Sequence, residues 1–272
     1  MNRIFSNISI AAAGVLMLTA CDNINDDDRY IEVDKVEAAR VVLIEDFTGQ
    51  DCKNCPNAHE VIEQLQAQYP KTVIAVSIHA GNTAISKEST NFDFDYIGLK
   101  TDDGDYYSKL WDIDSYPAGI INRRNGATEY DKWASLVREE LARPTELNIT
   151  MRSGETYGKI STEITLEPGE NVTGKLFVWV IESGILAEQL SEQGSISDYI
   201  HKNVYRATLT GLNGKDVELL ANIHQTFSFE TDVVYNEHER WNPANLSIVA
   251  FVADENGVQQ AAIVPVAPLD AK

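Results

Sequence analysis

Asp51-Cys52-Lys53-Asn54-Cys55-Pro56 is the stretch that decides the fold of the N-terminal half of this chain. It follows residues 41–47, a largely apolar run that predicts a buried strand. It precedes a helical pattern, ended by Pro70, whose apolar face is formed by Ala58, Val61, Ile62 and Leu65. A C-x-x-C pair between a strand and a helix is typical of redox sites, because unpaired N–H groups at a helix N-terminus favour a thiolate. The spacing therefore predicts a redox pair formed by Cys52 and Cys55.

The first thirty residues carry the pattern of an exported lipoprotein. Arg3 precedes an apolar segment, residues 8–18, which is too short to span a bilayer comfortably and is typical of a signal peptide. The segment ends in Leu18-Thr19-Ala20-Cys21, which resembles the bacterial lipobox. That resemblance implies cleavage after residue 20 and acylation of Cys21, for example with palmitate. An ordinary signal peptide with a chance cysteine is the alternative.

We therefore expect a lipoprotein signal peptide over residues 1–20 and an acidic, flexible tether over residues 21–30. Acidic residues directly after a lipidated cysteine resemble the signal that sends some gram-negative lipoproteins to the outer face of the outer membrane. A solvated linker is the plainer interpretation. No later stretch reaches the length of a membrane span, so the rest of the chain is predicted to be soluble and held by lipid alone.

The chain is strongly acidic, with 42 Asp and Glu against 22 Lys and Arg and a formal net charge of −20. This charge argues against binding to nucleic acids or to anionic surfaces. Hydrophobic residues make up 43% of the 272 positions, which allows substantial cores and, at this length, predicts two domains. Because Cys21 is assigned to acylation, Cys52 and Cys55 remain as one pair, whose disulfide could persist in the cell envelope.

Residues 31–143 are predicted to form an α/β domain in the order strand, helix, strand, insertion (about 80–115), two strands and helix. This order, the place of the C-x-x-C, and Tyr116-Pro117 before the third strand resemble the thioredoxin fold. The resemblance implies a cis proline that faces the disulfide. It also places Asp46 where the family has a buried acid that assists deprotonation of the second cysteine. A plain acidic residue at a strand end is the alternative.

The thioredoxin resemblance assigns a role to each candidate catalytic residue. Cys52 would be the exposed nucleophile, and Cys55 would resolve the mixed disulfide. The backbone of Tyr116 and the ring of Pro117 would hold the substrate strand. The positive charge of Lys53 would favour the thiolate of the first cysteine.

A closer resemblance covers nearly the whole chain. Residues 45–59 and 115–123, together with the lipobox and the total length, look like the outer membrane protein 28-related lipoproteins. The resemblance implies a thioredoxin-like domain followed by a β-rich domain on an outer-membrane lipoprotein, without a settled activity. Within the motif, Asp51 replaces the tryptophan usual in thioredoxins, and its charge should oppose a thiolate at Cys52.

Residues 145–272 are predicted to form an all-β, immunoglobulin-like sandwich, because Arg143-Pro144 ends the preceding helix and strand patterns dominate beyond it. Alternation over residues 160–166 predicts a strand with one wet face, whereas residues 176–181 are apolar on both faces, as in a central strand. About seven strands are expected. Residues 183–203 have a weaker β pattern and are predicted to be a helical or loop insertion.

Other sites are weaker. Cys52, Cys55 and His59 have a spacing that could begin a zinc site, but a fourth ligand is not apparent nearby, so neither a metal nor a cofactor is expected. His79 could line the redox site but is more simply a strand-end residue, and His201 is expected to be structural or exposed, as are His224 and His238.

Two functions remain open after the sequence is considered. One is thiol–disulfide exchange on envelope proteins at Cys52 and Cys55. The other is non-catalytic binding or adhesion at the cell surface, with Cys52–Cys55 as a structural disulfide and a surface ligand as the partner.

Overall fold

The computed structural model describes residues 39–94 and 96–268. The predicted signal peptide (1–20), the predicted tether (21–30) and the predicted acylation site Cys21 lie outside the described residues. In the part of the chain that is described, no helix is both long enough and apolar enough to cross a membrane.

The N-terminal part alternates strands and helices in the predicted order. Its elements are β1 (Val42–Thr48), α1 (Cys55–Gln68), β2 (Val73–His79), α2 (Asp102–Leu110), β3 (Ala118–Ile121), β4 (Arg124–Thr128) and α3 (Trp133–Leu141). β1 is parallel to β2 and antiparallel to β3, which continues into antiparallel β4. The predicted insertion contains α2, which begins where the Thr101 hydroxyl accepts a hydrogen bond from the Gly104 N–H at 3.0 Å.

Successive residues of β1 face opposite sides of the sheet, as strand geometry requires. Val42 and Ile44 pack with the apolar faces of α1 and α3. Leu43 and Phe47 pack on the other side, in a core that α2 also enters. Asp46 follows the same alternation as Val42 and Ile44. The strand therefore places this acid beneath the helix that begins at the C-x-x-C motif.

The C-terminal part contains eleven strands in the described residues, rather than about seven. They are β5 (Leu147–Thr156), β6 (Lys159–Pro168), β7 (Val172–Glu182), β8 (Ile185–Ser191), β9 (Gly194–His201), β10 (Val204–Thr208), β11 (Lys215–Leu219), β12 (Gln225–Asp232), β13 (Leu246–Asp254), β14 (Gly257–Pro265) and β15 (Ala267–Pro268). β12, β6, β5 and β15 form one sheet, and β8 and β9 form a hairpin of their own.

A nine-stranded sheet includes strands from both parts of the chain. Its order is β14-β13-β7-β10-β2-β1-β3-β4, and β11 also pairs with β7. The two parts join where β10 meets β2 in a parallel bridge between Val204 and Ser77. The Ser77 N–H donates to the carbonyl of Asn203 at 2.8 Å. One sheet therefore contains strands from both sides of the predicted boundary at residues 143–145.

β7 is the central strand that its sequence predicts, with two apolar faces. Phe177 and Trp179 enter the core shared with β1, β2 and α2. Val178 and Val180 point to the opposite side and pack in a second core, which the sheet of β5 and β6 covers. One strand thus contributes to two cores, which explains why it lacks the polar alternation of a strand with a wet face.

A buried ion pair lies where β1 and β3 meet the strands of the C-terminal part. The Arg123 Nε is 2.6 Å from Glu45 Oε1, and the Glu45 side chain is fully buried. Burial raises the pKa of Glu45 above its usual value, while Arg123 opposes that rise. The guanidinium carbon of Arg123 also lies 4.2 Å from the ring centroid of Phe177 and 4.7 Å from that of Phe251.

The prediction of a helical or loop insertion over residues 183–203 is wrong. These residues form the β8–β9 hairpin, and Ala187, Gln189 and Ser191 are its buried residues on β8. Gln189 is polar because it donates to backbone carbonyls of the loop at Cys52, and Ser191 donates to the Gly194 carbonyl in the turn of the hairpin itself. The hydrophobic alternation that identifies most strands is therefore weak here.

Candidate functional site

Cys52 and Cys55 form a disulfide, with their Cα atoms 5.4 Å apart. α1 begins at Cys55, with Asn54 as its N-cap residue and Pro56 in its first turn. Cys52 precedes the helix in a tight loop, where its N–H donates to the Gly49 carbonyl at 3.1 Å. Its own carbonyl accepts from the Cys55 N–H at 3.4 Å.

The expectation that Cys52 is exposed is wrong for this disulfide state. Cys52 is only 4% exposed and Cys55 is fully buried, whereas Asp51 and Lys53 on either side of the first cysteine are exposed. That expectation came from the role that the thioredoxin resemblance assigns to the first cysteine. The loop is contacted by Gln189 and Leu190 of β8, a strand that lies more than 130 residues farther along the chain.

Residues 49–54, between β1 and α1, form the cysteine loop. Gln189 is the main polar contact between the hairpin and this loop. This side chain is fully buried, and its Nε2 donates to the Cys52 carbonyl at 3.0 Å and to the Gly49 carbonyl at 3.2 Å. The backbone N–H of Leu190 donates to the carbonyl of Gln50 at 2.7 Å. The hairpin therefore binds the backbone carbonyls of Gly49, Gln50 and Cys52.

Gln50 fixes the same loop from its other side. Its Nε2 donates to the Ile97 carbonyl at 2.7 Å and to the Glu188 carbonyl at 3.3 Å. Its Oε1 accepts from the Leu99 N–H at 3.0 Å. These bonds join the loop, the segment before α2 and the hairpin into one hydrogen-bonded assembly.

Asp46 is fully buried, and its Oδ2 accepts a hydrogen bond from the Ser77 hydroxyl at 3.2 Å. The same oxygen lies 3.4 Å from Nε2 of His59. Oδ1 has no hydrogen-bond partner among the described residues. A buried carboxylate with an unsatisfied oxygen is energetically costly, so its position beneath α1 is a functional indication as well as a structural one.

His59 connects this acid to the hairpin. It lies one helical turn after Cys55 on α1, and its Nε2 is 3.0 Å from the Thr48 hydroxyl. Its Nδ1 is 2.8 Å from the hydroxyl of Tyr199 on β9. Burial raises the pKa of Tyr199 to about 12, so this hydroxyl keeps its proton at neutral pH. The sequence singled out His59 only for its zinc-like spacing.

Two further histidines meet beside this network. His79 ends β2 and His201 ends β9, and their ring centroids are 5.3 Å apart. Burial lowers the pKa of His79 well below its usual value and that of His201 to about 3, and the neighbouring histidines add to both effects. Both rings are therefore neutral at pH 7. A cavity of about 20 Å³ lies among these residues, lined also by Tyr199 and Ser77.

Tyr116-Pro117 is a cis peptide, as the thioredoxin resemblance implied. Pro117 directly precedes β3, whose Ala118 pairs with Phe47 near the end of antiparallel β1. The proline therefore lies at the sheet edge from which the cysteine loop departs. The Tyr116 hydroxyl lies 2.8 Å from the hydroxyl of Ser108 on α2.

The described residues contain no group of three or more His, Cys, Asp or Glu side chains arranged to hold a metal ion. His59 uses both ring nitrogens in contacts with Thr48 and Tyr199, and both cysteine sulfurs are in the disulfide. What the site offers chemically is a disulfide, a buried carboxylate and a cluster of imidazoles.

Comparison with known proteins gives both a family and a fold. The family model described as "Outer membrane protein Omp28" matches residues 104–267. The chain is similar to the structure of HBP35 of Porphyromonas gingivalis, with a TM-score of 0.64 and 15% identity over 87% of this chain and 79% of that one. At this identity the likeness shows a shared fold and no more. No curated protein matches the sequence.

Two other solved structures are more distant. One is the protein AGR_C_4864 from Agrobacterium tumefaciens, with a TM-score of 0.49 and 15% identity over 87% of this chain and 98% of that one. The other is a domain of the outer membrane lipoprotein Omp28 from Porphyromonas gingivalis, with a TM-score of 0.34 and 18% identity over 46% and 92%.

Proposed function

The chain belongs to the Omp28 family of outer membrane proteins, and on that premise we propose that it is a lipid-anchored protein that performs thiol–disulfide exchange at the cell envelope. The observation that carries this proposal is the buried Asp46 beneath the helix that begins at Cys55. A structural disulfide needs no buried acid beside it, whereas exchange needs a group that accepts a proton from the second thiol.

In this proposal, the N-terminal part of the chain is a thioredoxin-like module. It is supported by the order of β1 to α3, by the disulfide at the start of α1 and by Pro117 at the sheet edge from which the cysteine loop departs. For the C-terminal part, two sheets that pack face to face support a β-sandwich. The immunoglobulin-like assignment and the division into residues 31–143 and 145–272 stay predictions.

The proposed reaction transfers two electrons and breaks and forms disulfides in turn. In the reduced protein, the Cys52 thiolate attacks a substrate disulfide, forming a mixed disulfide and releasing one substrate thiolate. Cys55 then loses its proton to Asp46 and attacks the Cys52 sulfur, which restores the Cys52–Cys55 disulfide and releases the second substrate thiolate. The substrate is reduced and the protein oxidised, and the reverse sequence oxidises a substrate dithiol.

The remaining predicted residues have supporting roles in this proposal. The backbone of Tyr116 and the ring of Pro117 would hold an extended substrate strand at the sheet edge. Exposed Lys53 would stabilise the Cys52 thiolate by its charge. The acyl chains on Cys21 would anchor the protein, with the body facing the cell exterior because of the acidic tether.

The burial of both cysteines favours a second candidate function. With Cys52 4% exposed and Gln189 bonded to its carbonyl, the disulfide could be purely structural. The protein would then bind an envelope protein or a surface ligand without catalysis. This candidate makes no use of the unsatisfied Oδ1 of Asp46.

A measurement of the redox potential of Cys52–Cys55 in the chain from residue 22 onward separates the two functions. A potential between roughly −120 and −270 mV with rapid exchange supports catalysis, and one below roughly −300 mV with slow exchange indicates a structural disulfide. Asp46→Asn should slow exchange in the first case, whereas Asp51→Asn, which removes an exposed charge that opposes the Cys52 thiolate, should not slow it.

A further inference from the structure

We propose that the β8–β9 hairpin is a cover over the Cys52–Cys55 disulfide and that protonation of His79 and His201 at its base releases it. The biological purpose of this opening rests on the proposed exchange function, because the opening would control access to the disulfide. The opening itself is a property of the oxidised protein and is measured without any exchange reaction.

The hairpin has the structure of a movable element. It is a two-stranded sheet that shares no ladder with the other sheets of the described residues. Two-stranded hairpins are marginally stable on their own, so this one depends on its contacts with the rest of the protein. Near its turn, Gln189 and Leu190 bind the cysteine loop. Near its base, Tyr199 and His201 contact α1 and β2.

The histidine contact at the base tolerates no added charge. Both ring nitrogens of His79 and Nδ1 of His201 are buried without a hydrogen-bond partner among the described residues. The Nε2 of His201 lies 3.4 Å from the Glu188 carbonyl. The adjoining cavity of about 20 Å³ has room for roughly one water molecule. An imidazolium at either position therefore gains adequate hydration only when β9 moves away from β2.

The charged groups around the two rings do not compensate a proton. His59 on α1 and Arg206 on β10 both disfavour a charge on His79. The Asp46 carboxylate of β1 is directed to Ser77 and His59. The remaining ionisable groups that line the cavity are Glu63 of α1, which pairs with Lys202 at 2.8 Å, and Tyr199 of β9. No ion pair joins a carboxylate to His79 or His201 in the described residues.

The direction of the pH effect follows from burial. In the closed state the pKa of His79 is well below 6.5 and that of His201 is about 3, whereas each returns to near 6.5 once hydrated. The open state therefore binds more protons, and the closed state loses stability as pH falls below 6.5. Each histidine contributes about tenfold to the opening equilibrium between pH 7.5 and 5.5, so the two together contribute about 100-fold.

Hydrogen exchange of the full chain, with its disulfide intact, measures this opening. The reporter is the Leu190 amide, which bonds to Gln50 across the interface between hairpin and loop. After correction for the intrinsic exchange rate, its opening equilibrium should rise about 100-fold between pH 7.5 and 5.5. Amides of β13, in the middle of the large sheet, should stay protected.

Variants assign the effect to the two rings. His79→Phe and His201→Phe should each reduce the pH effect to about tenfold, and the double variant should abolish it. His224→Asn changes an exposed histidine and should keep the full effect. If the double variant does not fold, the single variants and the control still decide the assignment.

Three results would overturn the proposal. The first is Leu190 protection that changes less than about threefold with pH in the wild-type chain. The second is loss of β13 protection in parallel, which would indicate global acid unfolding. The third is a disulfide whose rate of reduction by a phosphine, relative to a small disulfide at the same pH, stays flat while Leu190 opens. Loss of exchange activity without any of these results would count against the proposed function alone.

Discussion

Replacement of Gln189 by alanine tests most directly whether the hairpin shields the disulfide at neutral pH. The wild-type side chain is fully buried and donates across the interface to the carbonyls of Cys52 and Gly49, and its Nε2 also lies 2.9 Å from the Leu190 carbonyl within the hairpin. Both carbonyls keep another partner, since Cys55 and Cys52 donate to them from the backbone. Gln189→Ala therefore removes two cross-interface bonds without leaving an acceptor fully unpaired.

The magnitude follows from these two bonds. At about 1 kcal/mol of net stabilisation each, their loss should destabilise the closed state by about 2 kcal/mol. Since about 1.4 kcal/mol corresponds to a tenfold change in an equilibrium constant, the open population should rise roughly 30-fold. The rate at which a phosphine reduces Cys52–Cys55 should rise by the same factor while opening remains a rapid equilibrium before reduction.

The control is Gln193→Ala, which changes the same residue type at the exposed turn of the hairpin. This variant should reduce at the wild-type rate. A Gln189→Ala rate within about threefold of the control would refute the idea that these bonds hold the cover closed. Global stability, measured by urea denaturation, should fall by no more than the same amount, about 2 kcal/mol, because the closed state is the reference for both equilibria.

The remaining predictions concern the proposed proton acceptor and two buried contacts. Asp46→Asn should slow release of the mixed disulfide by about 100-fold near pH 7, with partial recovery at higher pH, and stopped-flow exchange with a model disulfide measures this. Arg123→Met should cost about 3–5 kcal/mol in urea denaturation because Glu45 stays buried without its partner, and adding Glu45→Gln should restore much of the loss. Gly119→Ala should cost about 1–3 kcal/mol in the same assay, since a Cβ there would clash with the Trp133 ring.

Local patterns predicted the elements whose neighbours are close in sequence. The strand before the C-x-x-C, the helix after it and the strand at residues 176–181, which is apolar on both faces, each have a hydrophobic pattern that identifies the element from its own residues. The cis Tyr116-Pro117 came from a family resemblance and not from any local signal. These elements position the disulfide and the residues around it.

The cover and the histidine cluster could not be predicted in this way. Gln189 is buried because it donates hydrogen bonds to carbonyls of a loop that is far away in sequence. A polar residue in a strand pattern is normally predicted to be exposed, so the sequence does not indicate this burial. His59, His79 and His201 are separated by 20 and 122 positions and meet only because β9 lies against the end of β2. Pairing between β10 and β2 is equally non-local, with a single bridge at Ser77.

That single bridge bears on whether the N-terminal part could be produced as a separate, stable fragment. β2 is buried along its whole length, and its outer edge is covered only where the stretch from Asn203 to Val204 reaches Ser77. A fragment ending near residue 143 would expose this edge together with Ile74, Val76 and Ile78, which pack against Trp179 and its neighbours. Bare, apolar strand edges template pairing between molecules, so such a fragment would tend towards aggregation rather than form a smaller soluble protein.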